Sequence, residues 1–214
     1  MKFRRKSTEP DATEASEGDL AAAESEAAPV TGPFDVDDLP AGDGERVDLG
    51  SLLLLPDGQR ELRIQVDEST GAVESVLLAG PDGALDIRAF AAPRNGDLWS
   101  DVRPQIAGEM AQRGGTATER EGRWGTELLC QLPTRRPDGT AAMQPSRVIG
   151  INGPRWMLRA TLLGRPALEA ETSGAWEDAI ATIAVRRGDG AMPVGDVLPI
   201  RLPDSARKVE PGAL

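Results

Sequence analysis

The chain contains no histidine and no tyrosine, a single cysteine, and lysine only at Lys2, Lys6 and Lys208. Without histidine there is no imidazole to activate a serine or cysteine, to ligate a metal, or to switch charge near neutral pH. One cysteine, Cys130, forms neither an intramolecular disulfide nor a cysteine-based zinc site. Long apolar runs are missing too. The longest aliphatic stretch, Leu52 to Leu55, is strand-sized and far below the roughly 18 or more residues of a membrane helix. The basic opening, MKFRRK, leads into no apolar segment, so it does not read as a secretory signal. A cytoplasmic location is the expectation, with no membrane partner.

Charge is plentiful but unevenly placed. The formal net charge is −11, yet residues 1–46 hold 12 acids and 5 bases, whereas residues 47–187 hold 19 acids and 16 bases. The central part is close to balance and offers no broad attraction for nucleic acid. Residues 1–45 are rich in Ala, Glu, Ser, Asp and Pro. Such a composition buries too little apolar surface to offset chain entropy. This segment is expected to be disordered, with a basic phosphorylation-like context at Arg4–Ser7 and with Thr8 and Thr13 among acids. Residues 46–187 are expected to form a single α+β domain, and residues 188–214 an extended strap and tail.

Patterning supports that division. Val47–Pro56 reads as a strand interrupted at Gly50. Glu61–Val66, Val73–Ala79 and Ala84–Ala91 follow as strands separated by Gly-containing turns, which predicts an antiparallel meander. Val102, Ile106 and Met110 recur every four residues, predicting a helix through about Arg113 that Asp97 or Ser100 caps. Pro104 suits a helix that starts near Ser100; a start at Asp97 implies a kink. Thr116–Leu132 follows, with breaks at Gly122 and Gly125. There Trp124, Thr126, Leu128, Cys130 and Leu132 share a face, which makes Cys130 a buried structural thiol. Around Asn152-Gly153-Pro154 lies a hairpin. Asn-Gly supplies the positive φ angles of a tight turn, and Trp156, Leu158, Ala160 and Leu162 alternate onto one face. A second helix is read over Ala175–Ile183, with Glu177 and Asp178 near its positive end, and a short strand over Ala184–Arg187. The fold class is α+β: a mostly antiparallel sheet of about six to eight strands with two helices packed on one face. Trp99, Trp124, Trp156 and Trp176 read as core anchors.

Several blocks carry a resemblance: Arg46–Ser51 (RVDLGS), Asp101–Ile106 (DVRPQI), Gly125–Leu128 (GTEL), Gly153–Arg159 (GPRWMLR) and Leu198–Pro203 (LPIRLP). Over about residues 46–203 the sequence resembles the actinobacterial "domain of unknown function 3710" family. The resemblance implies an intracellular actinobacterial protein and brings no catalytic residues with it. The element order is also similar to that of PsbP/Mog1-like domains, by fold analogy alone.

No phosphate loop, dinucleotide fingerprint or metal-ligand cluster is written in the sequence, and no cofactor is expected. The Asp-Gly pairs at 57–58, 82–83 and 138–139 are turns without the alternating oxygen ligands of a calcium loop. Arg187-Gly188-Asp189 has no extracellular context that would give an integrin-type tripeptide meaning. Arg155 and Arg159 share strand parity with Met157, opposite Trp156, and Arg147 approaches them from the partner strand, depending on register. Arg147, Arg155, Met157 and Arg159 form the candidate interaction surface, with Arg135 and Arg136 in the preceding loop. Guanidinium forks suit carboxylates and phosphates, whereas a solvated sheet face needs no ligand at all. The leading expectation is a non-enzymatic protein-binding or adaptor domain with an unidentified protein partner. The alternative is a nucleic-acid- or nucleotide-associated protein that uses the arginines between 135 and 159. A hydrolase or transferase built on carboxylates alone ranks last. The sequence leaves the oligomeric state open.

Overall fold

Gly32 and Pro33, joined by a cis peptide bond, lead straight into β1, Phe34–Asp35. A computed structural model describes residues 32–39, 42, 44–67, 69 and 73–202 of the chain. After a short 3-10 turn come β2 (Val47–Asp48), β3 (Leu52–Leu54), β4 (Glu61–Val66), β5 (Val73–Ala79) and β6 (Gly83–Ala91). Then follow α1 (Leu98–Gln112), β7 (Thr116–Gly122), β8 (Gly125–Arg135), β9 (Ala141–Asn152) and β10 (Trp156–Gly164). A second 3-10 turn leads to α2 (Ala170–Ala181) and β11 (Ala184–Val185). The strands form two sheets. A seven-stranded antiparallel sheet runs β4-β5-β6-β10-β9-β8-β7, and a small four-stranded sheet runs β1-β11-β3-β2 with one parallel pair, β1 with β11. This is the expected α+β class.

The two helices lie on opposite faces of the large sheet, not on one. Register shows why. Leu158 pairs with Ala89 and Ile151, and Ala160 with Ile87 and Ile149. Because side chains alternate along a strand, these residues share one face. With Trp176 and Ile180 of α2 and Leu52 and Leu54 of the small sheet, they build the main core. On the other face Met157, Val148, Leu128 and Cys130 pack against Trp99 and Ile106 of α1. A four-residue apolar repeat shows that a helix has a buried stripe, but not which face of the sheet receives it.

The folded body begins before Arg46. Phe34 is buried against Leu53 and Ala184, and Asp35 Oδ2 accepts the Trp156 indole N–H at 2.8 Å. One apolar residue is enough here because β11 offers a parallel partner for it. The disorder expected over residues 1–45 does not hold from Gly32, where the chain enters β1 and a 3-10 turn; residues 1–31, the phosphorylation-like sites within them and the tail from Pro203 lie outside the described residues. Val47–Pro56 is a hairpin rather than one strand: Gly50 at φ 82 reverses the chain, and Val47 pairs with Leu54. The meander of the large sheet therefore starts at β4. The helix expected at Ala175 starts five residues earlier, at Ala170, so Glu177 and Asp178 sit mid-helix, away from its positive end.

The strap after β11 runs along the sheet. Leu198 donates its backbone N–H to the Ala89 carbonyl and Arg201 donates to the Leu49 carbonyl, both at 2.8 Å. The Leu198 side chain is buried. It occupies the β6 edge beyond the end of β5, which pairs only with Ala84–Ile87.

Candidate functional site

The four residues expected to form a surface are divided by the fold. Arg147 is 2% exposed and belongs to the α2 face. Its Nε donates to Glu127 Oε1 at 2.7 Å, and its Nη2 lies 2.7 Å from Glu177 Oε1 on α2. Arg120 Nε donates to the same Glu127 oxygen at 2.5 Å. Burial works against the Arg147 cation. The hydrogen bonds to Glu127 and Glu177 outweigh it and raise the arginine above its ordinary pKa. The cluster clamps α2 to β8 and β9. Glu127 Oε2 remains buried without a hydrogen-bond partner.

Met157 is fully buried beneath α1. Arg155 sits in the turn, outside β10, at φ 133, where its carbonyl accepts from the Ala92 N–H at 2.9 Å. The positive φ of this hairpin thus falls on an arginine and not on Asn152-Gly153. Gly153 is needed for another reason: a Cβ there would stand 2.1 Å from the Trp156 ring. Asn152 serves α1 instead. Its carboxamide accepts from Trp99 N at 3.2 Å and donates to the capping Asp97 at 2.7 Å.

Arg155 and Arg159 are both half-exposed, and of the two only Arg159 lies within a strand of the sheet. It projects to the same face as Met157, beyond the cover of α1, and pairs across the sheet with Arg88. α1 packs on β7, β8 and β9. The α1-side face of β4, β5, β6 and β10 is therefore left partly open, with Leu77, Asp86, Arg88, Phe90, Arg159, Thr161 and Leu163 half-exposed along it. The Arg159 guanidinium stands 5.2 Å above the Phe90 ring. It forms no hydrogen bond or ion pair among the described residues. Arg88 Nε lies 3.4 Å from Asp86 Oδ1, yet it is buried and makes no hydrogen bond. Burial pushes Arg159 below its ordinary pKa. Arg88 pushes the same way, against the weaker pull of Asp86 and Glu109.

Arg88 was hidden in the sequence as one of the alternating outward positions of Ala84–Ala91. Only register sets it opposite Arg159. Arg135 and Arg136 are exposed at the tip of the β8–β9 hairpin, which projects past both neighbours: β7 ends opposite Gln131 and β10 opposite Ser146.

Other features are structural. A depression lined by Asp57, Arg60, Glu61, Arg63, Gly80 and Pro81 is wide open to solvent. Its Arg60 donates to the Ala175 carbonyl at 2.8 Å and stacks 4.4 Å from the Trp176 ring. Cys130 is buried, and burial raises its thiol pKa. Trp124 does not share the Cys130 face. It lies in the β7–β8 turn, packs on the main core and donates to the Gly32 carbonyl at 3.1 Å. Among the described residues no group of three or more His, Cys, Asp or Glu side chains is placed to hold a metal. No helix among them is long and apolar enough to cross a membrane.

The fold defines an α+β domain in which α2 and the small sheet cover one face of the large sheet over the main core, α1 covers part of the other, and the rest of that second face is left partly open. The chain belongs to the family described as "Protein of unknown function (DUF3710)", whose model matches residues 32–209. That match reaches back to Gly32, where the described fold begins. No curated protein matches the chain. A crystal structure from Bacteroides thetaiotaomicron VPI-5482 is similar at a TM-score of 0.42 and 14% identity. The match covers 71% of this chain and 52% of that one, so this chain spans about half the length of the solved structure.

Proposed function

We propose that the protein is a non-catalytic, cytoplasmic protein-binding module, and that the open half-face of β6 and β10 receives an acidic segment of a protein partner. One observation carries this reading. Arg159 is half-buried, its guanidinium 5.2 Å from the Phe90 ring, and no carboxylate among the described residues is bound to it. Surface arginines normally spend their donors on solvent or a neighbouring acid. One held against an aromatic ring and partly desolvated is set to receive a planar oxyanion. Leu77, Phe90 and Leu163 add the apolar contact that anchors such interfaces, and an arginine beside aromatics is a typical hot-spot composition. The occupant follows from charge. Among the described residues the strand surface itself carries Arg88 and Arg159 against Asp86, with Glu109 of α1 acting on Arg159 only through space, and Arg63 on β4 is already bound to Glu61 at 2.7 Å.

Selection from a display library of acidic peptides tests the reading. Selected peptides should bind the wild-type chain and lose binding to the Arg88→Glu, Arg159→Glu double variant. They should still bind Arg135→Glu, Arg136→Glu. Peptides that bind the first variant as well as wild type would overturn the assignment of the face. Salt-sensitive oligonucleotide binding that disappears with the second variant would move the function to the projecting hairpin and to nucleic acid.

A further inference from the structure

Arg88 and Arg159 stand directly opposite each other on neighbouring strands, and Asp86 stands opposite Thr161 one step along. Like charges in directly opposed cross-strand positions destabilise a sheet. Asp86 relieves this only in part, because it lies 3.4 Å from Arg88 Nε and no hydrogen bond forms between them. Among the described residues the Thr161 hydroxyl makes no hydrogen bond either. Among the described residues three donor groups on one small area of β6 and β10 thus lack hydrogen-bond acceptors, with Asp86 beside them on the sheet and Glu109 of α1 acting on Arg159 without bonding it.

We propose that Arg159, Arg88 and Thr161 form an oxyanion-receiving site, and that a carboxylate or a phosphorylated side chain of the partner seats in it. This deepens the reading of the half-face as the contact surface and rests on it. A bound oxyanion satisfies the Arg159 fork, supplies an acceptor near Arg88 and cancels the repulsion between the two cations. The Phe90 ring, 5.2 Å from the Arg159 guanidinium, gives it a cation–π contact that holds it near the sheet. Asp86 disfavours anions that approach from the Thr161 end. It thereby favours seating over Arg159, with Thr161 reaching the far oxygen. Burial, and after it the neighbouring Arg88, lower the Arg159 pKa against Asp86 and Glu109, and a bound anion would favour the charged form.

The test is a titration of the full chain with inorganic phosphate and, separately, with acetate, each against sodium chloride of matched ionic strength. The readout is the arginine Nε–Hε signals. Saturable shifts confined to Arg88 and Arg159 are expected. Arg159→Gln should weaken anion binding by about tenfold or more, and Arg159→Lys should restore only part of it, because the ammonium keeps the charge but not the fork. Clearly tighter binding of phosphate points to a phosphorylated partner residue, and equal binding to a carboxylate. Shifts no larger than those in chloride, or shifts unchanged by Arg159→Gln, would overturn the site. If acidic peptides still map to β6 and β10 while neither anion binds, the oxyanion site fails and the contact surface stands. If the anions bind but the peptides map elsewhere, the surface reading fails alone.

Discussion

Arg147 shows how a single residue can be read correctly for chemistry and wrongly for place. Its guanidinium does meet carboxylates, but they are Glu127 and Glu177 inside the protein. Removing one member of a buried charge cluster leaves the others without compensation. Arg147→Ala should therefore destabilise the fold by about 3 kcal/mol or more in urea unfolding. Glu127→Gln combined with Arg147→Met, which removes both charges, should recover part of that loss. A loss within 0.5 kcal/mol for Arg147→Ala would mean that the cluster is not stabilising α2. Gly150 makes a second residue-scale case. A Cβ there would lie 2.0 Å from the buried Trp99 ring, which has little room to shift. Gly150→Ala should cost about 1–3 kcal/mol by overpacking, measured in the same way. Cys130 should react with a thiol reagent only once the chain unfolds, since its side chain is buried and its thiol pKa is raised.

At the scale of elements, α1 follows from the sequence almost in full. Its apolar repeat, its acidic cap and its glycine terminus are local signals, and the helix runs Leu98–Gln112 with Asp97 as cap. Pro104 lies inside it, which costs the Ser100 carbonyl its partner from the next turn. The cap gives a pH prediction. The Ser100 hydroxyl and backbone N–H hold the Asp97 carboxylate below its ordinary pKa against the cost of burial, helped by Asn152 and Arg103. A depressed folded-state pKa means the contribution is complete above the unfolded value, about 3.9, and is lost as pH falls through the folded value. Asp97→Ala should cost about 1 kcal/mol at pH 7, and the gap to wild type should narrow steadily below about pH 3.9. A gap that widens in acid would contradict the capping role. The hairpin at Gly153 was legible in place and in its alternation, down to the buried set Trp156, Leu158, Ala160 and Leu162, but not in its turn, where the positive φ falls on Arg155. The β2–β3 hairpin was not. Two- and three-residue strands have too few positions to show a period of two, and only their partner β11 holds them in a sheet.

Across the whole molecule, what escaped the sequence is everything that depends on register and on the order of strands. Parity gave Arg155, Met157 and Arg159 a common side, but it carried no information on whether a helix covers that side. α1 crosses the outer strands and buries Met157, while two residues along the same strand Arg159 stays half open. Arg88 became visible only when β10 was placed beside β6, with a long stretch of chain between them. The C-terminal strap, by contrast, was legible as apolar residues without periodicity. Its Leu198 is 1% exposed, so Leu198→Ala should lower stability by about 2–4 kcal/mol in thermal or urea unfolding, and a change near zero would show that the strap is not part of the fold.

A binding surface on the open half-face of β6 and β10 has a direct spectroscopic consequence. Amide chemical-shift mapping of a selected acidic peptide on the full chain tests it most directly. The largest shifts are expected among Asp86–Phe90 and Arg159–Leu163, and they should be lost with Arg88→Glu plus Arg159→Glu. Shifts that cluster instead on the β8–β9 hairpin tip, or around Asp57–Pro81, would contradict it.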